Sequence, residues 1–395
     1  MSTVVARRQG LTGNDAVALA WRQINPDVVA AYPITPSTQV VERFARYLAD
    51  GEATTEFVPT ESEHSAISAC VGASAAGARV MTATSSQGLA LMHEVLYIAS
   101  GLRLPIVMAV ATRALSAPLN IHGDHSDVMG SRDAGWVQLY AGTVQEAYDL
   151  SILAVRVAER ARVPVMVCLD GFTLSHSLEP VLVYADDAVR AFVGEARTSG
   201  YRLLDGEGAG PLTVGPLALP DAYMDFRRAL ANAMGRALEV IAGETAAFNA
   251  HFGRDLPVHL EASGLEEADG ALLLLGSTAD VVREALAGRS SASGRIGVVR
   301  LLTFRPFPAE AVRQALSHVA RVVVMDRADS LSTLGGPLGI EVRAALYGQA
   351  FPPAVTDVIY GLGGRELRAR DLERLRALFQ EEPVPGPVYL GVEDG

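Results

Sequence analysis

A chain of 395 residues, 49% of them hydrophobic and 20% charged, is long enough to fill roughly two or three domain cores. Its net charge of −12 argues against a nucleic-acid partner, which would present a phosphate backbone. The sequence contains no signal-peptide core and no run of about 20 apolar residues that could span a membrane. Its two cysteines, Cys70 and Cys168, indicate a protein of the reducing cytoplasm. Two thiols are also too few to ligate an iron–sulfur cluster alone.

Helix-like and strand-like segments alternate through the N-terminal half of the chain. Continuous apolar runs bounded by turns are typical of parallel strands that helices cover on both faces. The sequence therefore predicts a doubly wound α/β domain. The predicted strands are 28–34, 79–86, 104–111 and 163–170, and the predicted helices are 12–24, 38–50, 62–78 and 143–162.

The alternation stops at about residue 179 and resumes after 265. Between these points the glycine- and proline-rich stretch 197–223 predicts an irregular connector, and 223–253 predicts a long helix. We therefore predict two domains, 1–255 (with the connector and long helix over about 179–255) and a smaller α/β domain over 265–395. The predicted strands of the second domain are 270–277, 295–302 and 320–327, with helices over 277–288 and 308–319.

Two prolines, Pro33 and Pro36, enclose Ile34 and Thr35 directly after the first apolar run. Proline fixes φ and cannot donate a backbone hydrogen bond, so the pair makes a stiff turn. We expect this turn to hold the hydroxyl of Thr35 at the edge of a site.

Glu63 lies in "PTESEHSA" (59–66), just before a helix of small residues. Two interpretations are open. Thr60 and Glu63 match a capping box, in which the carboxylate only satisfies a backbone donor. Alternatively, Glu63 is a buried carboxylate that shares a proton with a ring nitrogen of a flat ligand.

Arg113 follows an apolar strand at the end where open α/β sheets bind ligands, and it could hold a carboxylate through two hydrogen bonds. A surface arginine would fit the same position. The next segment, 122–136, contains His122, Asp124 and His125 at spacings that match no metal signature, so we predict a polar, hydrogen-bonded loop beside an active site.

Two glycine clusters carry weak signals for dinucleotide binding. "GEGAGP" (206–211) nearly matches G-x-G-x-x-G but has no strand before it, and "GLGG" (361–364) follows the strand-like 354–360. We predict that neither binds NAD.

Several long motifs occur in one order: "YPITPST" (32–38), 60–94, 103–127, "RDAGWVQLY" (132–140), "CLDGFTLSH" (168–176), the helix at 224–230 and "GVVRLLTFRPFP" (297–308). Together they resemble the α subunit of the 2-oxoacid:ferredoxin oxidoreductases, most closely the pyruvate enzyme. The resemblance covers nearly the whole chain. It implies a thiamine-diphosphate pyrimidine-binding-type domain followed by a smaller transketolase-C-terminal-like α/β domain.

The resemblance also implies roles for particular residues. Glu63 would contact the aminopyrimidine N1′ of thiamine diphosphate, with Pro33 and Ile34 beside the cofactor. Thr35 and Arg113 would hold the carboxylate and carbonyl of the 2-oxoacid. The proline turn would then fix Thr35 where the substrate must lie.

Other parts of such an enzyme are not found in this sequence. Thiamine enzymes grip the diphosphate through Mg²⁺ with a Gly-Asp-Gly motif and a later asparagine, and 204–210 with Asn232 is only a partial match. The resemblance therefore implies that Mg²⁺ and [4Fe-4S] clusters belong to β, γ and δ-type partner subunits, with ferredoxin and coenzyme A as partners of the whole complex. No nucleic-acid or membrane partner is expected.

The choice of substrate rests on a few positions of the sequence. A relative acting on oxalate carries arginine where this chain has Thr35, and "APLNIHGDHSD" (117–127) is more similar to the pyruvate version, although His122 stands near a position where tryptophan or phenylalanine is expected. We expect an enzyme that converts pyruvate to acetyl-CoA and CO₂ and is inactive without its partners. Branched-chain 2-oxoacids and 2-oxoglutarate remain alternatives, as does a non-catalytic scaffold in which Glu63 is only a helix cap.

Overall fold

The structure is a computed structural model that describes residues 6–196, 214–286, 295–384 and 386–392. The partial metal motif at 204–210 and the glycine cluster at 206–211 lie outside the described residues.

The described residues form strands and helices that largely alternate along the chain. The strands are β1 (Ala6–Leu11), β2 (Val28–Ala31), β3 (Glu56–Pro59), β4 (Val80–Thr84), β5 (Val107–Thr112), β6 (Val137–Tyr140), β7 (Val165–Asp170), β8 (Glu179–Tyr184), β9 (Leu260–Ser263), β10 (Gly270–Leu275), β11 (Ile296–Leu301), β12 (Thr303–Arg305), β13 (Arg321–Asp326), β14 (Ala354–Ile359) and β15 (Val388–Tyr389). The helices are α1 (Gly13–Ile24), α2 (Thr38–Ala49), α3 (Glu63–Ala75), α4 (Ser86–Leu91), α5 (His93–Gly101), α6 (Ser126–Gly130), α7 (Val144–Ala161), α8 (Asp186–Val193), α9 (Pro220–Phe252), α10 (Thr278–Leu286), α11 (Ala309–Ala315), α12 (Pro337–Leu346) and α13 (Ala369–Leu378).

The first sheet has the strand order β12-β6-β7-β5-β4-β2-β3, and all of its neighbouring strands are parallel except β12 and β6. Its central strands β4, β5 and β7 are buried at every residue. Apart from Asp170 at the end of β7, the side chains on both faces of these strands are apolar or lack charge, because helices cover the sheet on two sides. The predicted α/β fold class is confirmed.

Two clusters of buried side chains form the core. One lies between the sheet and α1, α2 and α7, where the rings of Trp21 and Phe44 meet edge to face with centroids 5.8 Å apart. The other lies against α3 and α5 and continues into the second sheet, from Ile67 and Leu96 to Leu273 and Val324. The apolar core therefore joins the two sheets.

The second sheet has the order β15-β14-β13-β10-β11-β9, with only β9 antiparallel to its neighbour. We refer to the described residues from β9 onward, 260–392, as the C-terminal unit. Its alternating strands and helices, and the long helix α9 before it, agree with the sequence prediction. None of the helices in the described ranges is long and apolar enough to cross a membrane.

Three short pairings were not expected from the sequence. β1 pairs with β8 as a separate antiparallel ribbon, β9 joins the second sheet from the stretch between the two predicted domains, and β12 leaves the C-terminal unit to extend the first sheet. Strands of three to six residues give no periodic pattern long enough to identify them.

Asp170 forms the most buried polar link between the first sheet and the C-terminal unit. Its carboxylate accepts hydrogen bonds from His125 Nε2 (2.7 Å) and from the backbone N and Oγ of Ser277 (2.8 and 2.6 Å), and it lies 3.3 Å from Arg327 Nη1. Burial alone would raise the pKa of Asp170, but the charge of Arg327 and the bond from His125 hold it well below its usual range.

We predict that Asp170→Asn destabilises the chain by about 3 kcal/mol at pH 7, because Arg327 would keep a buried charge without its counterion. A depressed carboxyl pKa stabilises the folded state above the unfolded pKa of about 4, so the whole contribution is present at pH 7. Urea unfolding followed by circular dichroism measures the effect. The matched control is Asp187→Asn, whose side chain is 98% exposed. Equal unfolding midpoints for the two variants would contradict the prediction.

Candidate active site

The predicted site residues lie along one edge of the first sheet. Thr35 follows β2, Glu63 follows β3 and begins α3, and Arg113 follows β5 directly. Since β5, β4, β2 and β3 are adjacent parallel strands, their carboxyl ends meet at the same edge. This is the edge at which open α/β sheets bind ligands.

Glu63 is buried, with 8% of its surface exposed, and among the described residues its carboxylate forms no hydrogen bond or ion pair. The cap of α3 is Ser62, whose side chain accepts from the backbone N of Ser65 at 3.2 Å. Thr60 instead donates its hydroxyl to the carbonyls of Ala31 and Ser62. The capping box is therefore not formed, and the carboxylate is available to a ligand.

Gly88, in α4, leaves space beside this carboxylate. A Cβ atom at Gly88 would lie 2.7 Å from Glu63 Oε1 and 2.5 Å from Thr84 Oγ1, closer than real contacts allow. The hydroxyl of Thr84 is buried and has no hydrogen-bond partner among the described residues. An unpartnered carboxylate and an unpartnered hydroxyl thus converge at one glycine, an arrangement that suits a flat heterocycle with nitrogen donors and acceptors.

The proline turn is fixed from both sides, as the sequence predicts. Ser37 closes it through its backbone N and its Oγ, both 2.8 Å from the carbonyl of Ile34. Asn14 in α1 donates to the carbonyl of Pro36 at 2.8 Å. The side chain of Thr35 is exposed at the tip of this rigid turn.

Arg113 contacts the turn. Its Nη1 donates to the carbonyl of Thr35 at 2.9 Å, and its Nε donates to the carbonyl of Asn120 at 3.0 Å. Only 7% of Arg113 is exposed, so it is not a surface arginine. No carboxylate of the described residues forms an ion pair with it, which leaves its positive charge for an anion.

Residues 120–127, which we call the bridging loop, overlap the segment 122–136 that the sequence predicts to be a polar, hydrogen-bonded loop, although the short helix α6 occupies 126–130 of that segment. His125 binds Asp170, and Asp124 Oδ1 accepts from the backbone N and Oγ of Ser126 at 3.0 and 2.6 Å. Among the described residues no group of three or more His, Cys, Asp or Glu side chains could hold a metal ion. The side chains of Asp124 and His125 thus form hydrogen bonds within the protein.

Asp127 belongs to the predicted polar loop 122–136, where the sequence assigns it no individual role, and the structure places it at this edge. Its Oδ2 accepts from the backbone N of Ser86 (2.8 Å) and of Arg113 (3.0 Å), and its Oδ1 accepts from the N of Val128 (2.8 Å). Burial raises its pKa to about 7, although the two N–H groups on Oδ2 lower it and the charge of Asp124 adds to the rise. One carboxylate therefore joins the ends of β4 and β5. The only signal in the sequence was its place in a polar loop.

Comparison with known proteins identifies the family. A family model described as "Pyruvate flavodoxin/ferredoxin oxidoreductase, thiamine diP-bdg" matches residues 20–245, and one described as "Pyruvate:ferredoxin oxidoreductase core domain II" matches residues 268–372. The chain belongs to the pyruvate flavodoxin/ferredoxin oxidoreductase family. The resemblance predicted from the sequence motifs is confirmed.

Individual relatives agree with this assignment. "Pyruvate synthase subunit PorA" of Thermotoga maritima is 49% identical over 99% of each chain. "Ketoisovalerate oxidoreductase subunit VorA" of Pyrococcus horikoshii is 41% identical over 92% of each chain. The solved structure of 2-oxoglutarate:ferredoxin oxidoreductase from Magnetococcus marinus has the same fold, with a TM-score of 0.68 at 23% identity over 94% of this chain, which spans 65% of that chain.

We predict that Gly88→Ala lowers turnover by about 100-fold in the enzyme reconstituted with its partner subunits. The new methyl group must displace the Glu63 carboxylate, and moving a reacting group by about 1 Å can lower the rate by about that factor. The unfolding midpoint should change little, since alanine favours a helix by about 1 kcal/mol and this gain offsets part of an overpacking cost of about 1–3 kcal/mol.

The matched control is Gly243→Ala in α9, where a Cβ atom would meet nothing within 4 Å. Dye reduction driven by a 2-oxoacid measures turnover, and circular dichroism measures stability. Wild-type turnover in a folded Gly88→Ala enzyme would show that the Glu63 carboxylate can move without consequence.

Proposed function

We propose that this chain is the α subunit of a multi-subunit pyruvate:ferredoxin oxidoreductase, which decarboxylates pyruvate oxidatively to acetyl-CoA and CO₂, reduces ferredoxin and depends on thiamine diphosphate. The observation that carries the proposal is the pair of buried, oppositely charged side chains at one sheet edge. Glu63 and Arg113 are both buried, two backbone carbonyls hold the guanidinium of Arg113, and neither side chain has a counterion among the described residues.

The residues around Glu63 fit the pyrimidine half of thiamine diphosphate. The carboxylate would share a proton with the ring nitrogen N1′, Gly88 would leave room for the ring, and Pro33 and Ile34 would lie beside it. When bound, this cofactor supplies the electron sink that makes loss of CO₂ from a 2-oxoacid possible. A carboxylate that starts with no internal partner can hold such a proton without first breaking another bond.

Arg113 and Thr35 would orient the substrate. The guanidinium would bind the carboxylate of the 2-oxoacid, and the hydroxyl of Thr35 would donate to its carbonyl oxygen. Pyruvate is favoured because the pyruvate synthase relative is 49% identical to this chain. A branched-chain 2-oxoacid is the second candidate, since the ketoisovalerate relative is 41% identical.

The remaining groups of the enzyme would belong to β, γ and δ-type partner subunits. The described chain offers Cys70 and Cys168 as its only thiols, both buried and free, whereas clusters take about four thiolates. We therefore assign the [4Fe-4S] clusters to those partners. We also assign to them Mg²⁺ and the diphosphate grip, for which this sequence has only a partial motif, and the contacts to ferredoxin and coenzyme A. Free thiols support the cytoplasmic location, and we retain the domain division 1–255 and 265–395 as part of the proposal.

We predict that Glu63→Gln lowers turnover of the assembled complex at least about 100-fold, because an amide cannot take up and return the shared proton. Assembly should be unaffected, since the side chains have almost the same shape. The control is Glu61→Gln, two residues away and exposed. Coenzyme-A-dependent dye reduction with pyruvate, 2-oxoisovalerate and 2-oxoglutarate measures activity and identifies the substrate.

Wild-type rates in Glu63→Gln would show that Glu63 takes no part in the reaction and would favour a scaffold role for the chain. A higher kcat/KM for 2-oxoisovalerate than for pyruvate would identify the branched-chain 2-oxoacid as the substrate.

A further inference from the structure

The position of the Arg113 guanidinium depends on two backbone carbonyls. One belongs to Thr35, in the rigid proline turn, and the other to Asn120, in the bridging loop. An arginine side chain has several rotatable bonds, and no ion pair within the described residues fixes this one. The place of the Asn120 carbonyl therefore helps decide where the positive charge points.

The side chain of Asn120 fixes that carbonyl to the C-terminal unit. Its Nδ2 donates to the carbonyl of Gly363 at 3.0 Å, and its Oδ1 accepts from the backbone N of His122 at 2.6 Å. Gly363 has a φ of 60°, and a Cβ atom there would collide with Asn120 Nδ2. Only glycine permits this approach, so "GLGG" (361–364), which resembled a dinucleotide motif, is the turn that receives the bridging loop.

Further along the bridging loop, three more hydrogen bonds repeat the attachment. Asp124 Oδ2 accepts from the N of Gly363 at 3.0 Å, and the N of His125 donates to the carbonyl of Arg327 at 2.8 Å. In return, Arg327 Nη2 donates to the carbonyl of Gly123 at 2.8 Å. The loop therefore follows the C-terminal unit along most of its length.

We propose that the C-terminal unit positions Arg113 for the substrate carboxylate, and that Asn120 is the positioning residue that transmits this constraint. The inference rests on the proposed function, because it takes Arg113 as the group that binds the 2-oxoacid. It gives the C-terminal unit a part in the reaction that requires no direct contact between that unit and the substrate. A charge held in advance in the productive place need not be ordered when the substrate arrives.

The variant Asn120→Ala tests this role in the complete complex. It removes both side-chain hydrogen bonds but leaves the carbonyl that Arg113 contacts, and Asn120 is only half-buried, so the chain should fold. We expect KM for the 2-oxoacid to rise about 10-fold, while kcat and KM for coenzyme A change less than about 2-fold. Asn232→Ala, at an exposed position of α9, is the matched control and should change none of these values.

Hydrogen exchange measured by mass spectrometry on the full chain gives a second readout. In Asn120→Ala, peptides covering 113–127 and 361–365 should exchange faster, and peptides from α7 should be unchanged. This measurement needs no cofactor, substrate or partner subunit, so unchanged exchange overturns the inference even where the variant complex fails to assemble.

Faster exchange in these two segments together with the raised KM would support the inference. Unchanged exchange would overturn it, because the loop would then be held without Asn120. Faster exchange with an unchanged KM would also overturn it, since loop attachment would then be separate from substrate binding. Failure of the proposed function would be seen independently, as full turnover in Glu63→Gln.

Discussion

Two buried charges without internal counterions, Glu63 and Arg113, constrain the whole sheet edge. An unpaired buried charge is expensive, so a fold keeps one only where local dipoles reduce the cost or a ligand completes the pair. Here both devices are used. Glu63 begins α3, where the helix dipole favours a negative charge, and Arg113 points at two carbonyl oxygens. What remains unsatisfied is one carboxylate and one guanidinium, which under the proposed function would meet the ring nitrogen of the thiamine cofactor and the anion of the 2-oxoacid.

The strand order explains why these charges can act on one reaction. Neighbouring strands are about 4.8 Å apart, so a site that spans β5, β4, β2 and β3 is wide enough for a cofactor ring and a small substrate side by side. Within this span β4 lies between β5 and β2, and the chain continues from its end through Ser86 to Gly88. Asp127 ties Ser86 to the backbone of Arg113, so the segment beside the carboxylate and the strand end that carries the guanidinium share one anchor.

Most of the fold could be predicted from the sequence because long apolar runs and long amphipathic helices leave recognisable hydrophobic patterns. Strands such as β9 and β12 could not, since their pairing is decided by what lies beside them. At the site, Arg113 could be found from its place after a strand, whereas the role of Glu63 came from motif resemblance. The local pattern around Glu63 was ambiguous because Thr60 and Ser62 are both good caps, and only the structure shows which one caps α3. Asp127 and Gly363 act through contacts distant in sequence, which no local pattern records.

The contact between the first sheet and the C-terminal unit combines two kinds of interaction with different consequences. The shared apolar core supplies most of the burial, but apolar surfaces tolerate repacking and small shifts. Hydrogen bonds do not, because their energy falls steeply with misalignment. The polar contacts of Asp170, Asn120 and Asp124 all lie at the carboxyl edge of the sheet, beside the site and not beneath the core. The hydrogen bonds of Asn120 and Asp124 therefore lie where a small displacement would move Arg113, whereas a comparable shift in the apolar core would be absorbed by repacking.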